Sequence, residues 1–344
     1  GGRSDTDRQC HTGAVDRQPC PGSKARHEKQ PQVSLVITNA ACRIALQLPK
    51  SGTERRAVLA LSVRERANAF RYLGRFAEGL KSLDDAEKLF DQSPGSDPFD
   101  LAIVSYIRAT IYLESGRAAD GLPLAKAAAE VLGEYGDRRR ELAAVMVEAG
   151  CLMHSGHASE AAEAFERVAS IARATDQPEM LARALQNAGN AYLAASKHEL
   201  ATPLFIDALA LFDNLGLATE RTRSVWKLAS ARAAEGALHE AAEQLERVQA
   251  ELADLGLTND AALATLEWAE ARLAVGENGG VAERCAAIAV DFESEGMLRN
   301  ARIALAYLQE ALRTGAATPE VVRHVRAYLT ELPGRPATPF VRPA

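Results

Sequence analysis

Glycine returns to the same phase about every forty residues through most of this chain, and that period constrains the fold more than any other feature. Gly74, Gly116, Gly156, Gly236, Gly276 and Gly315 form one series, with Ser196 standing on its single missing beat. A second series, Gly136, Gly216, Gly256 and Gly296, keeps the same interval, with Asp176 on its empty beat. A fixed period of this length marks an array in which each unit buries its apolar face only against its neighbours. The repeat therefore predicts one continuous stack, although 344 residues would also accommodate two ordinary domains.

Composition selects the kind of unit. Alanine and leucine dominate, aromatic residues make up 5%, and β-branched runs are short, which favours helix over strand. A net charge of −6 and a pI near 5.8 give no support for nucleic-acid binding by the array. No stretch approaches the eighteen apolar residues of a membrane span, and the N-terminus has no apolar core of an export signal. The five cysteines, at 10, 20, 42, 151 and 285, form no CxxC pair and no dense framework, so reduced thiols and a cytoplasmic location are expected.

The chain divides accordingly. Residues 1–32 are rich in Gly, Pro, Arg, Asp and Gln and nearly free of apolar side chains, so ordering entropy goes uncompensated and a disordered or non-native segment is expected. The missing initiator Met suggests a fragment or a processed start. Over 33–52, Leu35, Ile37, Ala41, Ile44, Ala45 and Leu48 space one amphipathic helix, the second helix of a partial repeat, closed by the turn Pro49-Lys50-Ser51-Gly52. The region 53–332 then reads as seven helical hairpins, approximately 54–93, 97–135, 137–175, 177–215, 218–255, 258–295 and 297–330. Each has a glycine, or Ser196, at its inner turn, where a left-handed backbone is wanted. Residues 333–344 hold four prolines and form a tail, with Phe340 available to lie on the last hairpin.

The fourth hairpin carries Leu185, Ala188, Gly189 and Tyr192, then Ser196, Ala201, Phe205 and Ala208. These residue types at these intervals resemble the tetratricopeptide repeat, with Ser in place of the turn glycine. Parts of the pattern recur as Phe70, Gly74 and Ala86; Tyr112, Gly116 and Ala128; and Ala149, Gly156, Ala161 and Phe165. The period exceeds the usual length of about thirty-four residues. It is similar to the forty-residue form of bacterial signalling proteins, including transcription activators, as is the phrase Leu211-Phe212-Asp213-Asn214-Leu215-Gly216. The resemblance implies an all-α fold, a right-handed α-solenoid of about seven hairpins plus the partial N-terminal repeat, whose inner wall is free to hold a guest.

No catalytic constellation is present. The seven histidines never form HExxH, and neither GxSxG nor a phosphate-binding Walker loop occurs. His154, His157, His198 and His239 lie near hairpin turns, where polar residues are ordinary. Gly279-Gly280 reads as a turn before it reads as an anion cradle. Cys10, His11, Cys20 and His27 are zinc-capable types, but their spacing matches no common ligand pattern. No cofactor or metal is expected, and Cys42, Cys151 and Cys285 read as buried thiols.

In proteins of this family the first helix of each pair lines the concave face. Counted by register, that face includes Arg64, Asn68 and Arg71 in the first hairpin and Tyr106 and Thr110 in the second. It includes Arg183, Asn187 and Asn190 in the fourth and Arg223, Trp226, Lys227 and Ser230 in the fifth. Family members that grip a C-terminal carboxylate set Lys/Asn, Asn and Lys/Arg on successive hairpins. Asn187, Arg223 and Lys227 match the later part of that clamp, and Arg64 and Asn68 match its opening, whereas Met146, Gly150, Ile107 and Ala143 break it. The candidate binding residues are therefore Arg183, Asn187, Asn190, Arg223, Trp226 and Lys227, with Tyr106, Arg64 and Asn68.

A cationic strip on an acidic protein favours an acidic peptide or protein segment as partner. The expectation is a non-enzymatic binding scaffold, the interaction or regulatory part of a bacterial signalling or transcription-regulating protein whose effector domain lies outside this sequence. No direct nucleic-acid or membrane partner is expected. Two readings compete with it: a small-molecule sensor, and the regulatory fragment of a tetratricopeptide-containing protease. The sequence leaves the oligomeric state open.

Overall fold

The computed structural model describes residues 30–49, 53–91, 97–294, 299–332 and 338–343. The cysteines and histidines of the N-terminal segment, the turn after Lys50 and Gly296 lie outside these residues. Those described form fifteen α-helices and no strand. They divide into two compact units, residues 1–136 and 137–344.

The first unit contains α1 (Pro31–Gln47), α2 (Thr53–Tyr72), α3 (Phe76–Asp91), α4 (Pro98–Glu114) and α5 (Ala118–Glu134), each packed on the next. The second contains α6 (Arg138–His154), α7 (Ala158–Ala174), α8 (Pro178–Ala194), α9 (His198–Leu215), α10 (Ala218–Ala234) and α11 (Leu238–Asp254). It continues with α12 (Thr258–Ala274), α13 (Val281–Ser294), α14 (Arg299–Arg313) and α15 (Pro319–Glu331). Most of these helices are seventeen residues long, about 25 Å. Three further residues make each turn, so a new helix begins every twenty residues and a new hairpin every forty.

The turn positions explain the glycine series. Every glycine of the two series that falls among the described residues has positive φ, from 67° at Gly216 to 92° at Gly236. The only non-glycine residues with positive φ among those described are Asp176 (52°) and Ser196 (58°), the two that fill the empty beats. At Ser196 the geometry is that of a helix C-cap: Lys197 N donates to Tyr192 O at 2.8 Å and Ser196 N to Leu193 O at 3.0 Å. The turn shape is a property of the array, and glycine is only its cheapest occupant.

Between helices the repeat residues act as spacers and wedges. Ala182, Ala184, Ala188, Ala191, Ala201 and Ala208 are wholly buried, as are Phe205 and Phe212. A Cβ on Gly189 would come within 2.8 Å of two ring carbons of Phe205, so the glycine is what lets α9 seat its phenylalanine against α8.

The C-terminal end departs from a regular stack. By the forty-residue register α13 should begin at 278, but Gly279 and Gly280, the latter with φ 76°, hold the chain out of helix until Val281. Beyond it α14 packs on α13, and α15, instead of continuing outward, packs on α12. The four helices α12–α15 close a ring around Leu266, Trp268, Cys285, Ile288, Leu305, Leu308, Val322, Val325 and Leu329. The tail lies over this end. Phe340 meets the rings of Tyr307, His324 and Tyr328 at centroid distances of 5.1–5.6 Å, and Tyr328 Oη and Asn300 Nδ2 donate to Thr338 O.

Candidate functional site

In the second unit the first helices α8, α10 and α12 run at an offset of forty residues, so equivalent positions superpose by simple addition. Arg183 corresponds to Arg223; Asn187 to Lys227 and Glu267; Asn190 to Ser230 and Glu270. This register organises the face on which six of the nine candidate residues lie.

Arg183 and Arg223 form two rungs of one ladder. Arg183 donates to Glu220 of α10 at 2.8 Å, and Arg223 donates to Asp260 of α12 at 2.7 Å, one repeat further on. Gln186 Nε2 adds a bond to Ser224 Oγ at 2.9 Å. Both arginines remain more than 40% exposed, so each ties neighbouring helices while leaving part of its guanidinium at the surface.

Trp226 requires a correction. Read from the sequence as a contact surface, it is 5% exposed, and its Nε1 donates to Glu267 Oε2 at 2.8 Å. Its ring fills the space between α10 and α12, where a large apolar face is worth more than in water. Lys227 lies over that ring, with its ammonium 4.0 Å from the centroid. Burial is the main influence holding the Lys227 ammonium below the ordinary lysine range; Glu267 and Asp260 act against it and Arg326 with it.

Asn187 and Asn190 are half-buried on α8. Among the described residues, no hydrogen bond or ion pair holds their amides or the Lys227 ammonium. That leaves seven donor hydrogens and two carbonyl acceptors for a guest.

One repeat further on, the same positions are filled. Glu267 Oε1 accepts from Arg326 of α15 at 2.7 Å, and Glu270 accepts from Arg326 at 2.9 Å and from Arg323 at 2.7 Å. Glu267 Oε2 also accepts from Ser230 Oγ at 2.6 Å. The expectation of a free inner wall is thereby corrected at α12: the chain's own last helix covers it. The sequence reading missed Glu267, Glu270, Arg323 and Arg326. Adding forty to Lys227 and to Ser230 would have found the two glutamates. Nothing in the pattern marked the arginines, because their partners lie more than fifty residues away.

The remaining candidates belong to the first unit and stand by themselves. Arg64 is also corrected. It is 4% exposed and donates to Asp100 of α4 at 3.1 Å and to Glu65, so it is an internal tie of the same kind as Arg183. Asn68 Oδ1 accepts from Arg71 at 3.0 Å, and Tyr106 is half-buried on α4. No group of three or more metal-ligating side chains assembles among the described residues, and no described helix is long and apolar enough to cross a membrane.

Comparison with known proteins agrees with this architecture. The family model for soluble NSF attachment protein, SNAP, matches residues 118–265, less than half of the chain. No curated protein matches the sequence. Among solved structures, the STAND protein with a tetratricopeptide repeat sensor from Pyrococcus horikoshii superposes with a TM-score of 0.63 at 16% identity. That match covers 90% of this chain and 46% of the other. The apo form of RapI gives 0.60 at 13% identity, covering 80% and 97%. The apo quorum sensor NprR from B. thuringiensis gives 0.52 at 16% identity, covering 84% of each. At such identities the likeness is one of fold, and the fold of this chain is that of a tetratricopeptide-type helical repeat array.

Proposed function

We propose that the second unit is a docking scaffold whose first-helix face over α8 and α10 receives a protein or peptide segment bearing acidic side chains. One observation carries this reading: Asn187 and Asn190 on α8 and Lys227 on α10 have no hydrogen-bond or ion-pair partner among the described residues, while the equivalent positions of α12 are filled. None of the side-chain polar atoms of these three residues is fully enclosed, so a guest can reach them without breaking a bond among the described residues. Lys227 and the exposed parts of Arg183 and Arg223 give the strip a positive character suited to carboxylates. Solved structures of similar fold include a quorum sensor and a protein in which tetratricopeptide repeats are the sensor, which supports reading the repeats as a receiving surface. A place in a bacterial signalling or transcription-regulating system, cytoplasmic and without catalysis of its own, is the setting we propose for it.

The test uses fluorescence anisotropy with a labelled oligo-glutamate peptide at low salt and an oligo-lysine peptide as control. Binding of the acidic peptide alone, weakened by salt and lost in Asn187→Ala with Lys227→Met, is the expected result. Lys227→Met keeps the aliphatic stem over Trp226, so circular dichroism should be unchanged. Equal capture of both peptides, or acidic binding untouched by the double substitution, would remove the proposal.

A further inference from the structure

Glu267 is the carboxylate that would ordinarily neutralise Lys227, and its oxygens are already engaged. Oε2 accepts from Trp226 and Ser230, while Oε1 accepts from Arg326. Asp260, the other carboxylate acting on Lys227, is held by Arg223. The fork of Arg326 spans two carboxylates: one nitrogen reaches Glu267 at 2.7 Å and the other reaches Glu270 at 2.9 Å. A planar guanidinium can do this and a point charge cannot. The helix that brings it is anchored independently, since Val322 and Val325 are wholly buried and Leu329 nearly so.

Resting on the acidic-guest reading above for the nature of the partner, we infer that Arg326 is a positioning residue for the Lys227 site. By occupying Glu267 Oε1 and Glu270, it keeps these oxygens from pairing with Lys227 and makes this stretch of the face select anionic side chains. Arg326 touches no guest itself. Without it, Glu267 Oε1 loses its donor and is free to pair with Lys227, on which Glu267 already acts. The strip then carries two carboxylates against one lysine. The selectivity of the repeat face is set from α15, after the last regular repeat.

The experiment follows Lys227 directly and needs no guest. The full chain is reductively methylated with ¹³C-formaldehyde, and the Lys227 dimethylamine resonance, assigned by its loss in Lys227→Met, is titrated by NMR. The groups facing Lys227 are Glu267 and Asp260 of α12, Arg326 of α15 and Arg223 of its own helix. Arg326→Gln should raise the Lys227 midpoint by about one pH unit, the order expected when a carboxylate closes on an ammonium. Arg326→Lys, which can hold only one of the two glutamates, should raise it less. On a Glu267→Gln background, measured against Glu267→Gln alone, Arg326→Gln should produce no rise. An unchanged midpoint in Arg326→Gln overturns the inference. So does a rise that persists on the Glu267→Gln background, because Arg326 would then be acting through its own charge. Failure of oligo-glutamate to bind the unaltered protein would remove the docking proposal and leave this titration standing, so the two can fail separately.

Discussion

Gly189→Ala is the sharpest test of the helix packing, because two opposing effects give it opposite signs. In an exposed helix interior the change from Gly to Ala stabilises by about 1 kcal/mol through lost unfolded-state freedom. At Gly189 the new methyl would sit 2.8 Å from Cε1 and Cζ of Phe205 and 3.1 Å from Cδ1. Phe205 is wholly enclosed, so its ring cannot swing into solvent. Overpacking a filled core costs about 1–3 kcal/mol, which exceeds the propensity gain and leaves a net loss on the order of 1 kcal/mol. The assay is urea unfolding followed by the fluorescence of Trp226 and Trp268, both in the same unit as the substitution. Phe205→Leu supplies the control. Alone it costs stability, but in combination with Gly189→Ala it should restore part of the loss, giving a coupling on the order of 1 kcal/mol. Gly79 offers the contrast. There the added methyl meets the terminal Cδ1 of Ile111 at 2.9 Å, a flexible end that can rotate, so Gly79→Ala should cost less than Gly189→Ala. A Gly189→Ala protein more stable than the parent, with no coupling to Phe205, would refute the packing argument.

Asp176→Gly and Ser196→Gly should each stabilise the array by about 0.5–1 kcal/mol. Glycine removes the steric cost of a left-handed residue and returns only part of that gain as unfolded-state entropy; a rise in the thermal midpoint of the double variant is the measurement. Removing the Arg167 fork, which binds the buried Glu148 at 2.9 and 3.2 Å, should destabilise more than replacing both residues with methionine. The single change strands a carboxylate, whereas the double change does not. Alkaline pH should destabilise the second unit through two of its buried thiols. Burial, assisted at one site by Glu148, raises Cys151 from 9.0 to about 11, and burial raises Cys285 to about 12. Both thiols are protonated in either state below pH 9, so their contribution is complete there. Above it the unfolded chain releases protons that the folded chain retains, and stability falls progressively toward pH 11–12. Cys151→Ala with Cys285→Ala should flatten that fall, as read by thermal melts between pH 8 and 11.

The array was legible in the sequence because its determinants are local and periodic. A left-handed residue every forty positions and an alanine-rich interface repeated at the same phase each need only neighbours in the chain to act. Asp176 and Ser196 show how far that went, since the period alone assigned them a turn shape that their residue types disfavour. The candidate site was legible by half. Asn187, Asn190 and Lys227 followed from the register, but whether a polar side chain is free depends on what comes to meet it. Arg64, Arg183 and Arg223 are the same residue type at inner positions, yet one is enclosed and two form ladder rungs, because each has a carboxylate thirty-six or thirty-seven residues away. Trp226 turned inward because Glu267 offers its indole N–H a partner. Only the tertiary structure could show α15 folding back onto α12. Its arginines meet their glutamates across a sequence gap that no period spans.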